Sequence, residues 1–388
     1  MPLISKRAQQ IQPFHVMKLL ARARELESQG KSIIHMEVGE PDFNTPQPIL
    51  DAGIAAIKKG DVHYTSAMGL PALREAIVGF YKSQFDVSVS TDRIVITPGA
   101  SGALLLALSA TLDAKQTVLM SDPGYPCNRN FVSLLEGQSQ LVNVDEHSNF
   151  QLTSELVQQH WQDNTAAVLL ASPSNPTGTL LPQDELTKII HFAKQKEALV
   201  LVDEIYQGLV YEKPASTALA LSDDVFVINS FSKYFSMTGW RVGWLVVPQA
   251  FISVVDNLAQ NLYLAAPTPA QHAAVAAFEA ETLGILEQRR LAFKDRRDYL
   301  LAELPKLGFK ISVVPQGAFY IYANCESLTD DSFTFTEQCL EQAGVAITPG
   351  IDFGHNQAEK YVRFAYTTSL DNLKKAVERL EQFISSLG

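Results

Sequence analysis

Val225-Phe226-Val227-Ile228-Asn229-Ser230-Phe231-Ser232-Lys233-Tyr234-Phe235-Ser236-Met237-Thr238-Gly239-Trp240-Arg241-Val242-Gly243 is the stretch on which the reading of this chain turns. Its first part is an apolar run that predicts a buried strand, and Lys233 stands where that strand would end. Phe, Tyr, Met and Trp crowd around the lysine. Desolvation lowers an amine's pKa, and a neutral amine is a nucleophile. Two hydroxyls, Ser230 and Ser232, precede Lys233, and Arg241 follows it. The pattern points to a Schiff-base lysine, with Ser230 and Arg241 holding the phosphate of its cofactor. The ordinary alternative is a surface lysine whose stem lies along apolar neighbours.

Outward from that strand the chain alternates. Apolar strands read at Arg93–Thr97, Val118–Met120, Leu141–Val144, Ala166–Ala171, Leu199–Glu204, Val225–Ser230 and Trp244–Val247. Helical patterns separate several of them, at Ala103–Leu112, Asn130–Glu136, Thr153–Trp161 and Gln183–Lys196. Nearly all-apolar strands alternating with helices predict an α/β fold with a mainly parallel sheet sandwiched by helices. A long charged helix near Ile285–Leu307 then reads as a boundary, and residues 309–388 as a smaller α+β domain. That tail has strands near Ile311–Val314, Ala318–Asn324 and Tyr361–Ala365, and helices near Thr334–Gln342 and Leu370–Leu387. The division expected is an arm and part of the small domain in 1–45, a large domain in 46–284 and the small domain in 285–388. Gly30-Lys31-Ser32 looks like the end of a phosphate loop, but position 25 is Glu and no strand precedes it.

In such sheets ligands bind beyond the carboxyl ends of the strands. The residues expected there form one chemical set. Ala100-Ser101-Gly102 opens a helix, where free backbone N–H groups can meet a phosphate. Tyr125 can cover a ring face. Asp203 can keep a pyridine nitrogen protonated, while Asn175 and Tyr206 can donate to a ring oxygen. Arg363, in the tail strand, is the candidate for a substrate carboxylate.

Composition narrows the classes. The 388 residues carry 31 basic and 42 acidic side chains, a formal charge of −11, which argues against nucleic-acid and anionic-membrane partners. Cys127, Cys325 and Cys339 form neither a disulfide framework nor a CxxC metal site, so no metal is expected. Met1–Phe14 lacks the apolar run of a signal peptide, and no segment is apolar for long enough to span a bilayer. The expectation is a cytoplasmic protein.

These motifs resemble the class-I aminotransferases of pyridoxal-phosphate fold type I, in the aspartate aminotransferase branch. Ser230-Phe231-Ser232-Lys233 through Thr238-Gly239-Trp240-Arg241-Val242-Gly243 fits that family's lysine signature throughout. Supporting it are Gly39-Glu40-Pro41-Asp42-Phe43, His63-Tyr64, Thr97-Pro98-Gly99-Ala100-Ser101-Gly102, Asp122-Pro123-Gly124-Tyr125-Pro126, Ser174-Asn175-Pro176-Thr177-Gly178, Asp203-Glu204-Ile205-Tyr206 and Arg363-Phe364. The resemblance implies a seven-stranded sheet, pyridoxal 5'-phosphate as cofactor, and Lys233 as both the internal aldimine and the proton-moving base. Asp203 would pair with the pyridine nitrogen, and Tyr206 and Asn175 with the ring oxygen. Arg363, with Asn175 and Gly39, would hold the α-carboxylate. It also implies a homodimer in which Tyr64 reaches the partner's phosphate, and a cis bond at Asn175–Pro176. The reaction implied moves an amino group between an L-amino acid and a 2-oxo acid, 2-oxoglutarate or pyruvate being the acceptor. A carbon–sulfur β-lyase of the same fold is the alternative. Ile351-Asp352 departs from the small residues of many relatives and bears on the substrate pocket's edge. No arginine stands out for a distal carboxylate, and Phe14, Tyr263 and Ile351 suggest that apolar or aromatic substrates are accepted.

Overall fold

In the computed structural model, which describes residues 4–11 and 14–387, the apolar runs become the strands of one large sheet. Residues 1–3 and 12–13 of the expected arm lie outside the described residues. The strands are, in chain order, β1 (Ile34–His35), β2 (Ile94–Thr97), β3 (Thr117–Asp122), β4 (Gln138–Asn143), β5 (Thr165–Ala171), β6 (Leu199–Asp203), β7 (Val225–Ser230), β8 (Gly243–Val246), β9 (Tyr320–Asn324), β10 (Val345–Ala346), β11 (Thr348–Pro349) and β12 (Tyr361–Ala365). The large sheet has seven strands in the order β2-β8-β7-β6-β5-β3-β4. Only β8 runs against the rest, pairing antiparallel with β2 and β7. β2, β7 and β8 are buried along their whole length, as continuous apolar runs covered on both faces should be.

One face is covered by the helix Gly99–Thr111, which packs on β7 and β8 and against the helix Ile252–Leu262. The other core gathers Leu73, Ile77 and Phe80 with Phe231, Phe235 and Trp244, so the residues flanking Lys233 are anchored in it. A second core lies around a three-stranded sheet, β11-β12-β9, and the helices Ala280–Glu303 and Leu370–Leu387. β1 pairs with β10, so a segment from the start of the chain is built into the C-terminal part.

Two local expectations change. Ile311–Val314 is not a strand; only Lys310 bridges to Asn324. Pro315 follows it without an N–H to give, and the next two amides, Gln316 and Gly317, bond the Gly178 carbonyl instead. The helix expected from Ala103 begins at Gly99, which puts Ala100, Ser101 and Gly102 in its first turn. Gly30-Lys31-Ser32 is the exit of the helix His15–Ser28, with Gly30 at φ +88°. The Asn175–Pro176 bond is cis, as are Asp122–Pro123 and Ser172–Pro173. Among the described residues no helix is long and apolar enough to cross a membrane.

Candidate active site

The parallel strands all end on one edge, and β8 starts there. Asp122, Ala171, Asp203 and Ser230 close their strands at that rim, and Arg241 enters it just before β8. A cavity of about 250 Å³ opens on this rim and also takes in Gly39, Tyr320 and Arg363. It therefore draws on both sheets.

One group of donors in the cavity forms a cradle. The N–H groups of Gly99, Ala100 and Ser101 at the start of the helix Gly99–Thr111 have no intrahelical partner, and Ala100 and Ser101 line the cavity whereas Gly102 does not. Ser232 Oγ accepts from Ser230 Oγ at 3.0 Å and from Arg241 Nη1 at 3.4 Å, while Arg241 Nη1 also donates to the Thr238 carbonyl at 2.9 Å. Gly99 has φ +72°, and a Cβ there would sit 2.5 Å from Arg241 Nη2. A side chain at position 99 would push the guanidinium out of the cradle.

Lys233 Nζ donates to the Gly39 carbonyl at 2.6 Å. Burial lowers its pKa to about 8, with Arg363 and Arg241 acting in the same direction against Glu40 and Asp203. Asp203, at the end of β6, is pushed up to about 6 by burial, although its carboxylate accepts from the Ile205 N–H at 3.0 Å. Burial also holds the Tyr206 phenol well above its ordinary value, so it stays a donor; its hydroxyl lies 2.8 Å from that of Tyr320. Amine and carboxyl thus approach each other's range from opposite sides, as happens in sites that handle protons.

Arg363, on β12, also lines the cavity, with only 3% of its surface exposed. It donates to Asn175 Oδ1 at 2.9 Å, to Thr348 Oγ1 at 3.3 Å and to the Glu37 carbonyl. Its guanidinium lies 4.3 Å from the Tyr320 ring centroid and 4.7 Å from that of Phe353. The other buried arginines, Arg93, Arg296 and Arg297, each pair with a carboxylate. Among the described residues Arg363 has none, and its Nε is buried without an acceptor. A buried guanidinium held this way has its charge uncompensated by any carboxylate of the fold.

The sequence profile of the family described as aminotransferase class I and II matches residues 31–380. The chain belongs to this family. The (5-formylfuran-3-yl)methyl phosphate transaminase of Methanocaldococcus jannaschii is 37% identical, over 99% of this chain and 100% of the relative. The valine–pyruvate aminotransferase of Mycobacterium tuberculosis is 35% identical, over 97% of each. The crystal structure of an aminotransferase from Mycobacterium tuberculosis superposes with a TM-score of 0.96 at 34% identity, over the whole of both chains.

In this aminotransferase most residues expected from the sequence share the cavity: Ala100, Ser101, Tyr125, Asn175, Asp203, Tyr206, Ser230, Ser232, Lys233, Arg241, Arg363 and Gly39. Tyr64 does not; it is 80% exposed. Phe14 lines the cavity, whereas Tyr263 and Ile351 do not. Three contributions escaped the sequence reading. Tyr320 joins Tyr206 to Arg363, and its hydroxyl fills the space a Cβ on Gly39 would need. Val16 and Met17 line the cavity beside Phe14. Asp352 accepts from the N–H groups of His15 and Val16, both at 2.8 Å, and so fastens that segment. The run Phe319-Tyr320-Ile321-Tyr322 was the available signal for Tyr320, but an aromatic strand reads first as core.

Proposed function

We propose that this aminotransferase is a pyridoxal 5'-phosphate enzyme that moves an amino group between an L-amino acid and a 2-oxo acid, with pyruvate or 2-oxoglutarate as acceptor. The observation that carries it is a burial-depressed lysine sharing one cavity with a buried arginine that has no carboxylate partner among the described residues. The donor set fits the cofactor. The Ala100–Gly102 amides, Ser230, Ser232 and Arg241 would hold its phosphate, and Asp203 its protonated nitrogen. Tyr206 and the Asn175 amide would donate to the ring oxygen, with Tyr125 over the ring. When bound, the group supplies an electron sink for a substrate carbanion. Arg363 would seat the α-carboxylate with Asn175 and the Gly39 backbone. Lys233 Nζ, near neutrality at about 8, would take the proton from the substrate Cα. The division at about residues 45 and 284 goes with this reading. It is supported by the large sheet falling within 94–246 and the three-stranded sheet within 320–365.

The test is a half-reaction. Holoenzyme mixed with single amino acids should lose the visible band of the lysine-linked cofactor and release a 2-oxo acid, and pyruvate or 2-oxoglutarate should restore the band. Release of ammonia with the band retained would point to β-elimination instead. Lys233→Ala should bind the cofactor without the band and lose turnover; normal turnover in that variant would refute the assignment.

A further inference from the structure

We propose that the side-chain subsite of this aminotransferase takes apolar and aromatic side chains and disfavours acidic ones. The subsite is the part of the cavity lined by Phe14, Val16, Met17, Val38 and Leu104, and its assignment rests on the amino-transfer reading above.

This apolar lining is fixed in place. The Phe14 ring meets the Tyr125 ring edge-on, with centroids 6.5 Å apart and planes at 85°. Asp352, 2% exposed, takes the His15 and Val16 N–H groups on its two oxygens at the start of the helix His15–Ser28. An N-terminal clamp of this kind sets both the position and the direction of the helix that carries Val16 and Met17.

The charges around the cavity are accounted for. Its lining contains three cations, Lys233, Arg241 and Arg363, and the amino-transfer reading assigns each a task. Lys18, next on the helix, is exposed and does not line the cavity. Arg129 donates to the Asp352 carbonyl at 3.5 Å and lines a smaller cleft. Under the dimer reading a second copy would bring its Tyr64 segment, to which Thr268 is tied through the His63 carbonyl. Between Arg241 and Arg289 the sequence holds neither lysine nor arginine. A distal carboxylate would therefore lose water against Phe14 and Met17 with no counter-charge in return. An alkyl or aryl group gains from the same burial. By the same reasoning the acceptor is pyruvate, whose methyl group suits this wall, rather than 2-oxoglutarate.

Holoenzyme is mixed rapidly with phenylalanine, methionine, leucine, aspartate or glutamate, and bleaching of the visible band is followed. The apolar donors should react with a rate-to-affinity ratio at least about ten-fold above the acidic pair. Binding of two unreactive acids, 3-phenylpropionate and succinate, is read from their perturbation of the same band, and the aryl acid should bind more tightly. Met17 is 53% exposed, so Met17→Arg tests the missing charge with little strain, and it should shift the preference toward aspartate and succinate. Equal or stronger response to aspartate and succinate in the unaltered enzyme would overturn the subsite. So would an unchanged preference in both Met17→Arg and Phe14→Ala. Bleaching by acidic donors alone refutes the subsite and leaves amino transfer standing; bleaching by none of the five refutes both.

Discussion

At the scale of single residues, the site holds its charges in environments that oppose them. Asp203 is the clearest case. Its carboxyl has an ordinary value of 3.8 and rises to about 6 in the fold through burial. Between those values the unfolded chain ionises while the folded one keeps its proton. Folding stability therefore falls as pH rises through that window, and above about 6 the full cost remains. Asp203→Asn should remove it: the cofactor-free variant should be more stable at neutral pH by up to about 3 kcal/mol, with the loss between pH 4 and 6 flattened. Thermal melts of both proteins across that range check this, and equal melting at neutral pH would contradict it. On the proposed reading the same variant should lose most turnover, since an amide would not keep the cofactor's pyridine nitrogen protonated. Arg363 makes the complementary case. Its two terminal nitrogens serve Asn175 on one side and Thr348 and Glu37 on the other, a span that a single ammonium nitrogen does not cover. Arg363→Lys should lower kcat/KM by about a hundred-fold, with KM for the amino acid carrying much of it. An unchanged KM would move the carboxylate site elsewhere. Asp203 was legible in sequence because it closes an apolar strand, and Arg363, in the middle of β12, through the Arg363-Phe364 motif. Tyr320 was not, because its task depends on two partners, Tyr206 and Arg363, that are distant in the chain.

At the scale of elements, the specificity wall is held by a chain of caps. Asp122, which ends β3, accepts from the His355 and Asn356 N–H groups, and a Cβ on Gly354 would collide with its carboxylate. That loop carries Asp352, whose two oxygens cap the helix His15–Ser28. Asp352→Ala leaves two helix N–H groups without acceptors and should cost about 1–2 kcal/mol. It should also raise KM for bulky apolar donors and speed protease cleavage just before residue 15. A variant with wild-type melting and wild-type cleavage would show that the helix is held by packing alone. The sequence reading saw Ile351-Asp352 as a departure at the pocket edge but not its mechanism, because nothing local links position 352 to position 15. The periodic elements were easier. Strand identity survived at nearly every expected site because burial on both faces demands unbroken apolar runs. It failed at Ile311–Val314, where composition favours a strand and Pro315 leaves nothing to continue the ladder. The helix expected from Ala103 starts one turn earlier, at Gly99, and that turn carries Ala100 and Ser101 to the cavity.

For the whole molecule, Tyr64 stands apart from the cavity of its own chain. It is 80% exposed and stands beside Val62, while Leu262 and Leu264 are also about half exposed. The two segments are tied together, since Thr268 Oγ1 donates to the His63 carbonyl at 2.7 Å and Gln271 Nε2 to Thr65 Oγ1 at 3.2 Å. Exposed apolar groups on two tied segments would suit a surface covered by a second copy of the chain. In a homodimer with a two-fold axis, a residue that reaches the partner's site on one side is matched by its copy on the other. This gives a prediction that a monomeric site does not share. On the proposed reading Lys233→Ala subunits would lack the reactive amine, and Tyr64→Ala subunits would lack a phosphate donor and bind the cofactor more weakly. If Tyr64 serves the partner, a mixed dimer regains one complete site: the Tyr64→Ala subunit keeps its own Lys233 and receives an intact tyrosine from the Lys233→Ala subunit. Random reassociation of equal amounts should then make about one quarter of all sites native in cofactor affinity and turnover. If Tyr64 serves its own subunit, every mixed dimer contains only singly damaged sites, and mixing restores nothing. Titration of cofactor into the mixture, read against each variant alone, separates the two arrangements.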